Sequence, residues 1–252
     1  MKSLKESIFS DVEDIVNDDT TIIEQFLKDN YEIDGSYTIK DNVVDVNGGV
    51  EVKNKNIESL TRGIFRFRNV TGKFSCAQCH NLTSLKGAPE EVGGVFDCEL
   101  CRNLTSLEGA PKKVGGGFYC DRCFKLKSLK EGPKEVGGSF YCYKCNSIKS
   151  LEGAPKKVGI DFYCNECENL ISLKGAPKKI GGHFTCSYCK KLTSLKGAPE
   201  EVGGGWFYCV NCENLTSLEG APKETKMISC RGCKNLKITD QDRKKYKIKE
   251  YK

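Results

Sequence analysis

The chain has 252 residues, a formal net charge of +6, and only 38% hydrophobic residues alongside 26 glycines and 16 cysteines. That balance is lean for a single compact globule and too rich in cysteine for an ordinary cytosolic enzyme, so internal repetition is the first thing to look for. No stretch reaches 18 uninterrupted apolar residues, which excludes a membrane-spanning helix, and the N-terminus lacks the apolar core and cleavage site of a signal peptide.

Residues 1–30 form an acidic segment. Over 1–29, three lysines face eight acidic residues, a balance of −5 that leaves the rest of the chain at +11. Leu4, Ile8, Val12, Ile15 and Val16 fit one face of a helix. The "TIIE" of residues 21–24 has capping-box spacing and predicts the start of a second short helix. This segment serves either as a cap or as a partner-binding handle.

Residues 31–73 read as a degenerate repeat that caps the units behind it. Val50 and Val52 stand where later units have Phe and Cys, and Ile57 and Leu60 replace a later pair of leucines. Residues 74–238 then repeat G-x-F-x-C-x-x-C-x-x-L-x-S-L-x-G-A-P-x-x-V-G-G. The first cysteine of each pair falls at 76, 98, 120, 142, 164, 186, 209 and 230, five steps of 22 followed by one of 23 and one of 21. The basic tail 239–252 either supplies a C-terminal cap or is disordered.

Within a unit, "F-x-C" alternates, so Phe118 and Cys120 face one way and Tyr119 the other, as on a short strand. Leucines such as Leu104 and Leu107 anchor the return path, and the glycines and prolines mark bends. One unit of this length cannot bury its own apolar face, but stacked units can. The pattern therefore predicts a repeat solenoid of about eight coils with short parallel strands, roughly 40 Å long at about 4.8 Å per strand.

The Phe-x-Cys-x-x-Cys-x-x-Leu pattern resembles the leucine-rich repeat in its cysteine-containing variant, most visibly in "ISCRGCKNLKITD". The "LTSLxGAPxxVGG" return segment is similar to repeat proteins of tailed bacteriophages and some bacteria. The resemblance covers about 74–238, and more weakly 31–73. It implies a leucine-rich-repeat-like fold behind an N-terminal helical cap, and a cytoplasmic setting in a bacterial or phage-infected cell. In that template the third strand position and the Asn position both point inward, which assigns Cys98 and Cys101 to two columns of buried side chains.

Three readings of the cysteines follow. They are reduced core thiols, small and apolar with a weak donor. Alternatively they bind zinc, because C-x2-C-x18-C-x2-C fits four-thiolate spacing. Pairing adjacent coils would then group Cys76, Cys79, Cys98 and Cys101; Cys120, Cys123, Cys142 and Cys145; Cys164, Cys167, Cys186 and Cys189; and Cys209, Cys212, Cys230 and Cys233. Disulfides within a pair are the third reading, disfavoured because three near-extended residues span more than the roughly 7 Å that a disulfide allows between Cα atoms. His80 and His183 occupy different repeat positions, and no catalytic triad, P-loop or dinucleotide motif is present.

The residues facing outward between Phe and Cys form the column Ser75, Asp97, Tyr119, Tyr141, Tyr163, Thr185, Tyr208 and Ser229, which Tyr143 and Tyr188 extend. Trp206 sits at the single one-residue insertion. A second stripe carries Lys112, Lys113, Lys134, Lys156, Lys157, Lys178 and Lys179, with Glu90, Glu91, Glu200 and Glu201 towards the ends. The sequence thus points to a non-enzymatic module with no cofactor that binds a protein partner through Tyr119, Tyr141, Tyr143, Tyr163, Tyr188, Tyr208 and Trp206. Zinc binding and nucleic-acid binding through the basic stripe are the alternatives.

Overall fold

The computed structural model describes residues 19–249. The expected helical face over Leu4–Val16 lies outside the described residues. From 31 onward the chain winds into a parallel β-solenoid of about nine turns, each of about 22 residues. It is preceded by a helix, α1, over 19–30. The "TIIE" box therefore lies inside α1 rather than at its start. Ile23, Phe26 and Leu27 repeat at helical spacing, and all three are buried. This stripe seats α1 on the first coil, where Phe26 meets Phe65 edge-on at 5.8 Å.

Two long strands follow, β1 (Tyr31–Lys40) and β2 (Val43–Val52), paired antiparallel over their whole length from Tyr31↔Val52 to Lys40↔Val43. Their two-residue turn, Asp41–Asn42, has positive φ at both positions, 52° and 57°, the geometry that matches strand twist in a tight hairpin. β2 then starts the parallel stack, pairing with β3 (Arg66–Val70) and with β4 (Phe74–Ser75). Val50 stands in register with Phe74, and Ile57 and Leu60 are buried below it.

Each later coil contributes two strands of mostly two residues, such as Lys113–Val114 and Phe118–Tyr119. Within the lysine stripe, Lys113, Lys157 and Lys179 therefore lie in the strands of a second parallel ladder, and Lys112, Lys134, Lys156 and Lys178 directly precede its strands. Between the two strands lies the Gly-Gly corner. At Gly115 an added Cβ would sit 2.2 Å from the carbonyl oxygen of Gly93 in the preceding coil, so close backbone approach selects glycine here. The glycine of "G-A-P" answers to a different constraint: Gly109 has φ +86°.

Six inward columns fill the interior. In one coil they are Val114, Phe118, Cys120, Cys123, Leu126 and Leu129, all 1% exposed or less. The phenylalanines Phe74, Phe96, Phe118, Phe140, Phe162, Phe184 and Phe207 stack with ring centroids 5.0–5.6 Å apart. Each such pair contributes about 0.5–1.5 kcal/mol beyond its buried area. At the N-terminal end the stack turns edge-on, with Phe67 against Phe74 at 73° and Tyr31 against Phe67 at 74°. At the other end the short strand Ile248–Lys249 pairs parallel with Met227–Ser229 and covers the last coil. The helix α2 (Asp240–Lys245) precedes it, opened by a capping box between Thr239 and Asp242.

One coil breaks the glycine rule. "KEGP" at 130–133 puts Glu131 where the other coils have Gly87, Gly109, Gly153, Gly175, Gly197 and Gly220, and Glu131 has φ +65°. A non-glycine residue in that region costs about 1–2 kcal/mol. Glu131→Gly is therefore expected to stabilise the protein by about 1 kcal/mol, read as a higher urea midpoint at unchanged slope. Gly109→Ala should destabilise it by more than that, because its Cβ would lie 2.5 Å from the Lys86 backbone.

Candidate interaction surface

The strand that carries Phe inward carries its neighbour outward, so register decides what the sheet presents. Ser75, Asp97, Tyr119, Tyr141, Tyr163, Thr185, Tyr208 and Ser229 are successive partners on one column. Tyr119 and Tyr141 meet edge-on at 4.8 Å, and Tyr141 stacks on Tyr163 at 4.5 Å. The Tyr163 hydroxyl donates to Asp161 Oδ2 at 3.2 Å. Burial, and next the Asp161 charge, hold the Tyr163 phenol well above its ordinary range, so it remains a donor.

Thr185 interrupts the aromatic run; it is buried and its hydroxyl donates to Ser187 Oγ at 3.2 Å. A second aromatic group follows. Trp206 stacks on Tyr208 at 5.7 Å, His183 lies 5.8 Å from the Tyr208 ring, and the Lys249 ammonium sits 5.5 Å above the Trp206 ring. The inserted residue brings Gly205 beside His183, where a Cβ would meet Nδ1 at 2.6 Å, and His183 Nδ1 accepts from the Trp206 N–H at 2.9 Å. Trp206 is thus half-buried and braced.

Tyr143 and Tyr188 lie at the cysteine corner. Tyr143 donates to Glu166 Oε1 at 3.0 Å between the cations of Arg122 and Lys144, 5.3 Å and 5.0 Å from its ring. Tyr188 is 45% exposed and occupies a left-handed position at φ +60°. Among the described residues no ring contact joins either tyrosine to the strand column.

The cysteine corner is a turn rather than near-extended chain, because the second cysteine N–H donates back to the first carbonyl, as in Cys101 to Cys98 at 3.4 Å. The span argument against disulfides within a pair therefore does not hold. All sixteen cysteines are free, and all but Cys233 are buried. The second thiol of each pair donates to the carbonyl of the first cysteine one coil back: Cys101 to Cys76 at 3.1 Å, Cys123 to Cys98 at 3.3 Å, Cys145 to Cys120 at 3.0 Å, and so on to Cys233. Cys79 has no such coil behind it and turns to its own Ala77 carbonyl at 3.9 Å.

Burial pushes the Cys145 thiol up to about 11 and the Cys79 thiol up to about 12. A protonated thiol that donates to a carbonyl is a poor zinc ligand, which must be a thiolate. The four-cysteine groupings, beginning with Cys76, Cys79, Cys98 and Cys101, are not assembled. Among the described residues no cluster of three or more His, Cys, Asp or Glu side chains is placed to hold a metal ion.

The second ladder and the residues beside it present two charged columns. In the first, Lys157 pairs with Glu135 at 3.0 Å and Lys179 with Glu201 at 2.6 Å. In the second, Lys178 reaches Glu200 at 3.6 Å, whereas Lys112, Lys134 and Lys156 are exposed and form no ion pair among the described residues. A shallow groove of about 760 Å³ runs beside them over Gly115, Gly137, Gly159 and Gly181.

Sequence reasoning missed Asp121. Its carboxylate follows Cys120 and accepts the Tyr143 N–H at 2.7 Å, and burial raises it to about 7. The folded chain therefore holds this proton more tightly than the unfolded chain, whose value is the ordinary 3.8. The contribution of Asp121 to stability is full below about pH 4, falls as pH rises to about 7, and is level above that. Asp121→Asn keeps the acceptor and removes the charge. It is expected to add about 2–4 kcal/mol at pH 8 and little at pH 4, measured as urea midpoints at the two pH values.

These features define the class: a parallel β-solenoid with two strand ladders, an aromatic outward column on one and a lysine-rich column beside the other. No protein-family model, curated protein or solved structure matches the chain. Among the described residues no helix is long and apolar enough to cross a membrane.

Proposed function

We propose that this chain is a non-enzymatic interaction module that binds a protein partner through the strand face centred on Tyr119, Tyr141, Tyr163 and Tyr208. Tyr143, Tyr188 and Trp206 border the same contact area. The observation that carries this reading is the run of three tyrosine rings in contact on a hydrogen-bonded sheet, Tyr119 edge-on to Tyr141 at 4.8 Å and Tyr141 stacked on Tyr163 at 4.5 Å. Stacking has already fixed these rings, so a partner that covers them orders little that was free, and tyrosine offers both area and a polar tip. Sixteen free thiols held as packing groups suit a reducing compartment, which supports a cytoplasmic setting.

The test uses threonine, which the column already accommodates at Thr185. The variant Tyr119→Thr/Tyr141→Thr/Tyr163→Thr/Tyr208→Thr should keep the far-ultraviolet circular dichroism of the parent chain. Its partner capture should fall at least tenfold, about 1.4 kcal/mol. Undiminished capture by a folded variant rejects the reading.

One observation favours a second reading, namely that Lys112, Lys134 and Lys156, stacked on consecutive rungs, form no ion pair among the described residues. If they bind the backbone of a nucleic acid, affinity for a single-stranded oligonucleotide falls steeply with added salt. Lys112→Gln/Lys134→Gln/Lys156→Gln should then flatten the slope. A salt-independent affinity excludes it.

A further inference from the structure

We propose that two copies of this chain pair through the free edge of β1, antiparallel about a twofold axis at Ser36. This inference does not rest on the tyrosine face.

β1 is the first strand of the sheet, and its pairing with β2 leaves its other edge without a strand among the described residues. The far end of the array closes on a strand of two residues, Ile248–Lys249, whereas β1 runs for ten. A long edge strand without proline is a template for another strand. The direction of its backbone groups follows from β2. There the Val46 and Gly48 carbonyls accept from Thr71 and Gly72 at 3.1 Å and 2.8 Å, and the Val50 N–H donates to the Lys73 carbonyl at 2.7 Å. Alternate residues of a strand address opposite edges, so β2 meets β1 through the residues that face Glu32, Asp34, Ser36, Thr38 and Lys40. The backbone groups of Ile33, Gly35, Tyr37 and Ile39 therefore point away from β2. Among the described residues no backbone hydrogen bond reaches them on that side.

Ile33, Tyr37 and Ile39 stand opposite the buried valines Val50, Val46 and Val44, so their side chains lie on the core face. They are not covered there. Tyr37 is 40% exposed, and Ile33 and Ile39 are only half-buried. The helix α1 shelters the Tyr31 end and leaves a cleft of about 460 Å³ beside Ile33 and Tyr37. The core thus stops short at this edge.

Self-complementarity identifies the occupant as a second copy. With Ser36 on the axis, Ile33 of one copy meets Ile39 of the other, Gly35 meets Tyr37, and each pair exchanges both N–H···O bonds. On the outer face Glu32 then meets Lys40 in a close, non-hydrogen-bonded pair. Glu32 has no cation of its own, because it faces Glu51, which Lys55 already pairs at 3.2 Å. Lys40 likewise forms no ion pair among the described residues. A pairing centred on Gly35 sets Glu32 against Thr38, and one centred on Tyr37 sets Ile33 against Asp41. Of these three, the Ser36 register alone matches charge with opposite charge and isoleucine with isoleucine. Its axis stands upright on the sheet, so the two core faces join on one side and the two outward columns open together on the other.

Sedimentation velocity of the full chain over a concentration series tests the pairing, with hydrogen exchange on the same samples. The expected species at high concentration has twice the 28.0 kDa mass of one chain. Its formation should slow exchange at the amides of Ile33, Gly35, Tyr37 and Ile39 at least tenfold. Glu32→Lys and Lys40→Glu, both at exposed positions, should each weaken the dimer about tenfold, since like charges replace opposite ones on both sides of the axis. The double variant Glu32→Lys/Lys40→Glu should restore it. A chain that stays monomeric at its highest soluble concentration overturns the proposal. So does a dimer indifferent to both single reversals, which is held elsewhere. Protection of the four amides that is independent of concentration also overturns it, and assigns the edge to residues 1–18 of the same chain.

Discussion

The structure depends on one constraint: the same residue must return to the same place after each turn. A two-residue strand has no stability alone. It persists because the rungs before and after it hold its backbone in register, and because the side chain it points inward lands on its own copy. Phe96 lies between Phe74 and Phe118 at 5.6 Å and 5.2 Å, and its N–H donates to Gly117 one coil on. Shifting one coil by a single residue would send phenylalanine and cysteine to solvent and tyrosine to the core, so register and burial enforce each other.

Seen this way, the cysteines and glycines are the residues that let coils approach. A thiol is small enough to stack at strand spacing, and its weak donor adds a second hydrogen bond to a carbonyl that already accepts the turn N–H, as at Cys76 and Cys98. Glycine at the Gly115 position leaves room for the neighbouring carbonyl. Neither residue makes the molecule reactive by itself. Their repetition makes the interior uniform, and the ends of the array are where chemical differences arise. Cys79 has no cysteine coil behind it to donate to, and Cys233 has no cysteine coil in front of it to cover it.

Much of this was legible in the sequence. The fixed spacing gave the solenoid and its coil length, and the alternation of Phe118, Tyr119 and Cys120 separated inside from outside. Val50 could be aligned with Phe74 by substitution alone. Other features were not legible, for physical reasons. Lys113–Val114 is too short for alternation to show, so nothing in the sequence announces the second strand of each coil. β1 is mostly exposed on both faces, which erases the pattern of a half-buried strand. The cysteine turn depends on a left-handed residue such as Leu100 or Arg122, which no sequence preference announces. The thiol acceptors lie one coil away, at a separation that carries no local signal.

The hairpin at the N-terminal end has a consequence for how the chain assembles. β1 and β2 pair through contacts that begin across a two-residue turn, whereas every later rung closes a loop of about 22 residues before it gains a single hydrogen bond. Local pairing forms sooner than distant pairing. Assembly thus has one inexpensive starting point, and it lies at the end of the chain that a ribosome makes first. Once β2 is in place, β3 and β4 have an edge to dock on, and each finished coil presents the edge that the next one needs. The molecule is built in one direction, like a wall raised on its lowest course.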